Sequence, residues 1–202
     1  GSREDTASLV KKIKESNPNV KIEHSWQEDD GFRLSMSRNK AIAKASGKYV
    51  IIIDGDLILE RHFIQDHIEN MEKGYFIQGS RVIISEEKSK EILKGKLPVF
   101  LEVLFEKGYK NKANTVRNRL LSKIFTKKDK KLSGIRGCNM SFFREDLVKV
   151  NGFEEKIQGW GREDSEIAVR LFNSGIGKKR VKFNALTYHI YHKENDRSGL
   201  AE

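Results

Sequence analysis

Apolar positions along this chain switch between helical and strand spacing, and the switching outlines its elements. From Thr6 to Ser16 the residues Leu9, Val10 and Ile13 share one helical face, with Asp5 or Thr6 as cap and Pro18 just beyond the end. Val20 to His24 alternates like a short strand, and Ser35 or Ser37 can cap a helix that runs to Ser46 and stops at Gly47. Tyr49-Val50-Ile51-Ile52-Ile53 is apolar at every position, so neither face suits water. That pattern predicts a central parallel strand covered on both sides.

Further along, the pattern predicts a helix over about Glu60 to Glu72 and a strand over Phe76 to Ile84. A polar break, an apolar stretch from Leu97 to Phe105 and a basic helix near Thr115 to Phe125 follow. Gly137 to Phe143 reads as a strand, Arg144 to Val150 and Ser165 to Asn173 as helices, and Val181 to Tyr188 as a last strand. Such alternation predicts an α/β sandwich with a mostly parallel sheet. At 202 residues the simplest organisation is one domain over 1–202.

Composition narrows the function classes. The single cysteine, Cys138, can form no internal disulfide, so nothing in the sequence asks for an oxidising compartment. The strongest apolar run ends in Asp54 after five residues, far short of a bilayer span, and the expected location is cytoplasmic. The net charge of +10 is local: between Lys107 and Arg136 stand eleven Lys or Arg against one acid, Asp129. No zinc-finger spacing, RNA-recognition signature or basic zipper accompanies it, so nucleic acid is not the expected partner. Leu120, Leu121, Ile124 and Phe125 interleave with these charges. The segment reads either as an amphipathic insert for the anionic inner membrane face or as a solvated surface.

Two acidic clusters carry candidate chemistry. Asp54-Gly55-Asp56 ends the apolar strand, where α/β sheets bind ligands beyond their carboxyl ends. Carboxylates at i and i+2 of an extended chain face one side, and the glycine between them admits a close-lying diphosphate. Their hard oxygens suit Mn²⁺ or Mg²⁺. About a hundred residues later, Glu163-Asp164 opens a helix. A carboxylate so placed can take the proton of a hydroxyl, which is a poor nucleophile at neutral pH without such a base. A plain Asp-Gly turn and ordinary helix-dipole partners are the bland accounts of the two clusters.

The segment from Asn151 to Ile167, with Gly159-Trp160-Gly161-Arg162-Glu163-Asp164 at its centre, resembles the acceptor-side loop of β-1,4-galactosyltransferases and chondroitin polymerases. Asp29-Asp30-Gly31-Phe32-Arg33, Ser37-Arg38-Asn39-Lys40-Ala41 and Asp54-Gly55-Asp56 are similar to the donor half of family 2 glycosyltransferases. The resemblance implies a GT-A (Rossmann-like) fold with helices on both faces of the sheet. It implies Asp164 as catalytic base, Glu163 and Gly161 on the acceptor, Trp160 stacked on a sugar face, and Asp30, Arg33, Arg38 and Asp54 on the donor nucleotide. Gly137-Cys138-Asn139-Met140-Ser141 would line the donor-sugar pocket, with Asn139 on a hydroxyl. Arg162 stands where the galactosyltransferase pattern carries a second glycine, which leaves the acceptor open.

In related transferases a C-terminal histidine completes the metal site with the second Asp, here Asp56. His189 fits that pattern better than His192, and on a continuing strand the two would not both aim at one point. Asp54 is a further possible ligand. His24, His62 and His67 have no partners at useful spacing. The resemblance also implies an N-terminal β-α-β unit that this sequence seems to start after. The expected function is an inverting, metal-dependent transfer from a nucleotide-diphospho sugar, a UDP-sugar above all, to a glycan or lipid-linked acceptor in surface polysaccharide or lipopolysaccharide assembly. A nucleotidyltransferase, or an inactive carbohydrate- or lipid-binding fragment, are the alternatives.

Overall fold

A computed structural model describes residues 3–97, 100–157, 159 and 161–193. The predicted helices over 6–16, 35–46, 144–150 and 165–173 are present as α1 (Glu4–Ser16), α2 (Leu34–Lys44), α7 (Arg144–Lys149) and α8 (Glu163–Asn173). The apolar run is strand β1 (Tyr49–Ile53), and Leu57–Leu59 forms β2 just after the acidic turn. Helix α3 (Phe63–Asn70) is shorter than expected. The polar break contains a helix, α4 (Glu86–Leu93), capped by Ser85, whose hydroxyl accepts from the Lys88 N–H. The apolar stretch after it ends in α5 (Phe100–Phe105).

The strand expected over Phe76 to Ile84 is split into β3 (Tyr75–Gln78) and β4 (Ser80–Ile84), and the one expected over Val181 to Tyr188 forms only at its end, as β9 (Leu186–His189). Just before it stands a strand that was not expected, β8 (Gly177–Arg180). Strands β3 and β8 lie in one sheet, β4 and β9 in the other. One sheet has the order β1-β7-β3-β8-β6, with β7 at Asn139–Phe143 and β6 at Lys127–Asp129. The other has the order β2-β9-β4-β5, with β5 at Tyr109–Lys110. Gly79 is the hinge between β3 and β4: a Cβ there would lie 2.3 Å from the Asn139 amide.

The α/β class is as expected, but the sheet is mixed rather than mostly parallel. Five of the seven pairings are antiparallel, and only β3·β8 and β4·β9 run parallel. The reason is β7, which enters between β1 and β3 in the reverse direction. Strand β7 is also the buried centre expected of β1, whereas β1 pairs on one side and leaves Ile53 exposed. Val20 to His24 forms no strand, since no described strand lies beside it to complete a ladder.

The main core lies between the first sheet and α7 and α8, where Phe76, Met140, Phe142, Leu147, Ile167 and Leu171 pack together. A second cluster, with Val82, Ile84 and Tyr109, backs the second sheet. The basic stretch is not one amphipathic helix. It runs through β5, a 3-10 turn at Lys112–Thr115, α6 (Arg119–Phe125) and β6, so its charges spread over several faces.

A buried polar chain threads the seam between the sheets. Tyr49 Oη lies 2.9 Å from Ser141 Oγ, which lies 2.8 Å from His67 Nδ1. His67 Nε2 donates to Asn139 Oδ1 at 3.0 Å, and Asn139 Nδ2 donates to the carbonyls of Ser80 and Ala185. His67 is fully buried with both ring nitrogens bonded, although its sequence neighbourhood offers it no partner. Burial lowers its pKa to about 4 and raises that of Tyr49 to about 12.

Candidate active site

The carboxyl end of β1, the start of α8 and His192, just beyond β9, meet around one cleft of about 1070 Å³. Its polar wall includes Arg38, Asp54, Asp56, Arg81, Asp164 and His192, and its apolar wall includes Ile42 of α2 and Ile52 of β1. The two acidic clusters, a hundred residues apart in sequence, thus share one space.

Arg38 and Asn39 bind these halves together. The Arg38 guanidinium, 8% exposed, donates from Nη2 to Asp54 Oδ1 at 3.0 Å and brings Nη1 to 3.6 Å from Glu163 Oε1. It also lies over the Phe153 ring at 5.3 Å. Gly137 packs directly on it, and any Cβ at that position would be 2.7 Å from Nη2. One helical step on, the Asn39 amide donates to the Phe153 carbonyl and accepts the Phe153 N–H, which fixes the Asn-Gly-Phe turn. Arg38 therefore links Asp54 to the acceptor-side helix. Arg33 and exposed Asp30 pair with each other outside the cleft.

Glu163 and Asp164 have separate environments. Glu163 is buried, its Oε2 has no hydrogen-bond partner, and desolvation raises its pKa above the carboxylate range, with Asp164 adding to the rise and Arg38 opposing it. Asp164 accepts the Gly137 N–H at 3.0 Å on Oδ2 and the Ser165 N–H at 2.7 Å on Oδ1. Oδ1 also accepts from Ser165 Oγ at 3.4 Å, so Oδ2 is the oxygen that keeps a lone pair for a further donor. Arg162 sits at φ +72°, the left-handed backbone that glycine adopts without cost, so it preserves the shape of the glycine it replaces in the pattern. Gly161 lines the cleft beside it, while Trp160 lies outside the described residues.

The third component is Asp56 with two histidines. Antiparallel register sets Leu57 of β2 opposite His189 of β9, and the Ile190 N–H donates to the Asp56 carbonyl at 3.0 Å. His189 Nε2 comes to 3.4 Å and His192 Nε2 to 3.2 Å from Asp56 Oδ2. Both rings thus converge where strand alternation permitted one; β9 ends at His189, and beyond it the alternation no longer applies. His192 Nδ1 donates to the Lys193 carbonyl, which leaves Nε2 free of its proton for a ligand. Asp56 Oδ1 is buried without a partner, and one donor atom from each of the three residues falls within 4.8 Å of the others. An orphaned carboxylate oxygen and two imidazoles are a donor set for a divalent cation of the Mn²⁺ kind. Asp54 stands outside that trio, held by Arg38.

Asn139 does not face this cleft. It is 1% exposed, and its amide is spent on His67, Ser80 and Ala185. Its part is to stitch the two sheets, so the expected sugar contact is corrected to a structural role. One lining residue, Arg81, was absent from the sequence reading. Arg81 of β4 donates from Nη1 to Cys138 Sγ at 3.2 Å, and Cys138 is a buried thiol whose pKa burial pushes up. An arginine interrupting the apolar strand Ser80–Ile84 was the available signal.

The family model for glycosyl transferase family 2 matches residues 1–150, three quarters of the chain. The chain belongs to glycosyl transferase family 2. A second model, described as the N-terminal domain of galactosyltransferase, matches residues 120–193 of this family 2 chain. Chondroitin synthase of Escherichia coli is 25% identical over 94% of the chain and 29% of its own length. Hyaluronan synthase of Pasteurella multocida is 24% identical over 94% of the chain and 20% of its own length. The chain thus spans under a third of these curated relatives. Among solved structures, GalNAc-T7 with UDP, GalNAc and Mn²⁺ superposes with a TM-score of 0.62 at 16% identity, covering 96% of this chain and 37% of that one. The mannosyltransferase PcManGT of Pyrobaculum calidifontis with GDP-Man and Mn²⁺ gives 0.53 at 16% identity, over 96% and 47%. These two carry the fold, which is that of GT-A glycosyltransferases.

Proposed function

We propose that the chain is the catalytic unit of an inverting, metal-dependent glycosyltransferase using a nucleotide-diphospho sugar, specifically a UDP-hexose or UDP-N-acetylhexosamine. The observation that carries this reading is the meeting of the Asp56-His189-His192 donor set and the Glu163-Asp164 pair in one cleft. The names of the relatives, chondroitin synthase and hyaluronan synthase, support a glycan acceptor in polysaccharide assembly; a lipid-linked saccharide or lipopolysaccharide acceptor belongs to the same proposal without that support.

In this mechanism Asp164 takes the proton of the acceptor hydroxyl as its oxygen attacks the anomeric carbon in line. The bond from that carbon to the diphosphate oxygen breaks, and its electron pair leaves with the diphosphate. The N–H groups of Gly137 and Ser165 aim the Asp164 carboxylate. Glu163, buried beside Arg38 with its Oε2 unpartnered, positions the acceptor sugar. Asp56, His189 and His192 would hold Mn²⁺, which supplies positive charge to the departing diphosphate. Arg38 keeps the donor and acceptor halves in register.

Release of UDP from UDP-sugars with Mn²⁺ tests this directly. The wild-type chain is expected to turn over at least one UDP-sugar, and Asp164→Asn to keep UDP binding while losing transfer by about 10²- to 10⁴-fold. Transfer by Asp164→Asn above a hundredth of the wild-type rate would remove Asp164 from the base role.

A further inference from the structure

We propose that Arg81 is a donor-binding residue that grips the diphosphate of the nucleotide sugar from the side opposite Glu163 and Asp164. The inference rests on the glycosyltransferase reading and assigns a residue that neither acidic motif contains.

Strand geometry aims Arg81 at the cleft. In β4, Val82 and Ile84 are buried in the second core cluster, so Arg81 and Ile83 take the opposite face of the sheet. Parallel register sets Arg81 beside Thr187 and Ile83 beside His189 on β9, which places Arg81 and His189 on one face, two positions apart. Arg81 lines the cleft together with Asp54, Asp56, Cys138 and His192. Its charge is felt by a neighbour: it opposes the rise that burial causes at the Cys138 thiol.

What Arg81 lacks is an anion. Three other arginines out of full solvent have one: Arg38 has Asp54, Arg117 has Asp66 and Arg170 has Glu166. Arg144 and Arg180, also half-buried, have none among the described residues, but neither lines the cleft, so Arg81 is the half-buried, unpaired one that a cleft ligand can reach. Arg81 is half-buried, its one side-chain contact is Cys138 Sγ, and no carboxylate of the described residues lies within 4.0 Å of it. A guanidinium partly removed from water without a counter-charge is costly, and a ligand anion removes that cost. Its planar fork of N–H donors matches phosphate oxygens. A diphosphate lying between Arg81 and a cation that Asp56, His189 and His192 would hold has positive charge on both sides to receive the electron pair of the breaking bond to the sugar. The neutral thiol of Cys138 accepts one N–H and leaves the charge of the guanidinium for the ligand.

The test is calorimetric titration of UDP in Mn²⁺ into wild type, Arg81→Met and Arg81→Lys, with UDP-glucuronate in parallel. Methionine keeps the apolar stem in place, and lysine keeps the charge without the fork. Affinity for UDP is expected to fall about 10- to 100-fold in Arg81→Met, as for loss of a charge-assisted hydrogen bond, and less in Arg81→Lys. The fall should be the same for UDP-glucuronate. Unchanged UDP affinity in either variant overturns the assignment, and so does a loss confined to UDP-glucuronate, which would mean a carboxylate of the sugar is the ligand. Binding of neither UDP nor GDP by wild type would overturn the glycosyltransferase reading and Arg81 with it. Binding by wild type with no effect of the substitutions sinks Arg81 alone.

Discussion

At the scale of single residues, sequence reading located acids and histidines better than amides and arginines. Asp56, His189, Glu163 and Asp164 stand out because carboxylates and imidazoles at element ends have few other uses. Asn139 misled because the residues before it, Gly137 and Cys138, do border the site, while its own amide turns into the seam. No pattern in one strand reveals that its amide bridges two other segments. The consequence is measurable. Asn139→Ala strips a partner from His67, Ser80 and Ala185, all at buried positions or backbone, and each unmet group costs about 1–3 kcal/mol. Urea denaturation should show a loss of several kcal/mol, with a KM for donor close to wild type in whatever fraction folds. A normal melting curve with a raised KM would return Asn139 to the sugar site.

At the scale of elements, strand existence was legible and strand continuity was not. Tyr49–Ile53 has the predicted bounds because an all-apolar pentad ending in Asp has one reading. Ser80 to Ile84 was joined to Tyr75 to Gln78 although Gly79 marks the break, a glycine whose missing Cβ makes room for Asn139. The late start of β9, at Leu186 rather than Val181, had no such marker: Phe183 and Ala185 take left-handed backbone that their side chains do not advertise. Helix α4 was missed because it presents only Ser89 and Ile92 to the interior and so has no apolar stripe. The basic segment kept one expected property after losing its single-helix form. On α6, Leu120 and Ile124 are 68% and 65% exposed, one turn apart, and the exposed Lys123 and Lys127 beside them have no ion-pair partner among the described residues. Apolar side chains framed by free lysines suit an anionic lipid surface. The chain should sediment with vesicles containing phosphatidylglycerol but not with phosphatidylcholine alone, and Leu120→Ser with Ile124→Ser should reduce that binding about tenfold or more. Equal sedimentation with both vesicle types would reduce α6 to an ordinary surface helix.

At the scale of the whole molecule, the buried chain from Tyr49 through Ser141 and His67 to Asn139 couples fold stability to pH. His67 has its pKa lowered to about 4 in the folded protein, against an ordinary value of 6.5 in the unfolded chain. Above pH 6.5 the ring is neutral in both states, and the group adds no pH dependence. As pH falls below 6.5 the unfolded chain takes up a proton that the folded protein refuses, so stability is lost until about pH 4, where both states are charged. A gap of that size corresponds to about 3 kcal/mol over the window. The net charge of +10 also grows on acidification and adds a repulsive term of the same sign. His67→Gln separates the two, since glutamine offers Ser141 and Asn139 an acceptor and a donor without titrating. Thermal melts from pH 7 to pH 4 should show a shallower fall in Tm for His67→Gln than for wild type, whatever their difference at pH 7. Parallel curves across that range would mean the imidazole is not the titrating group, and that repulsion among surface charges accounts for the whole slope.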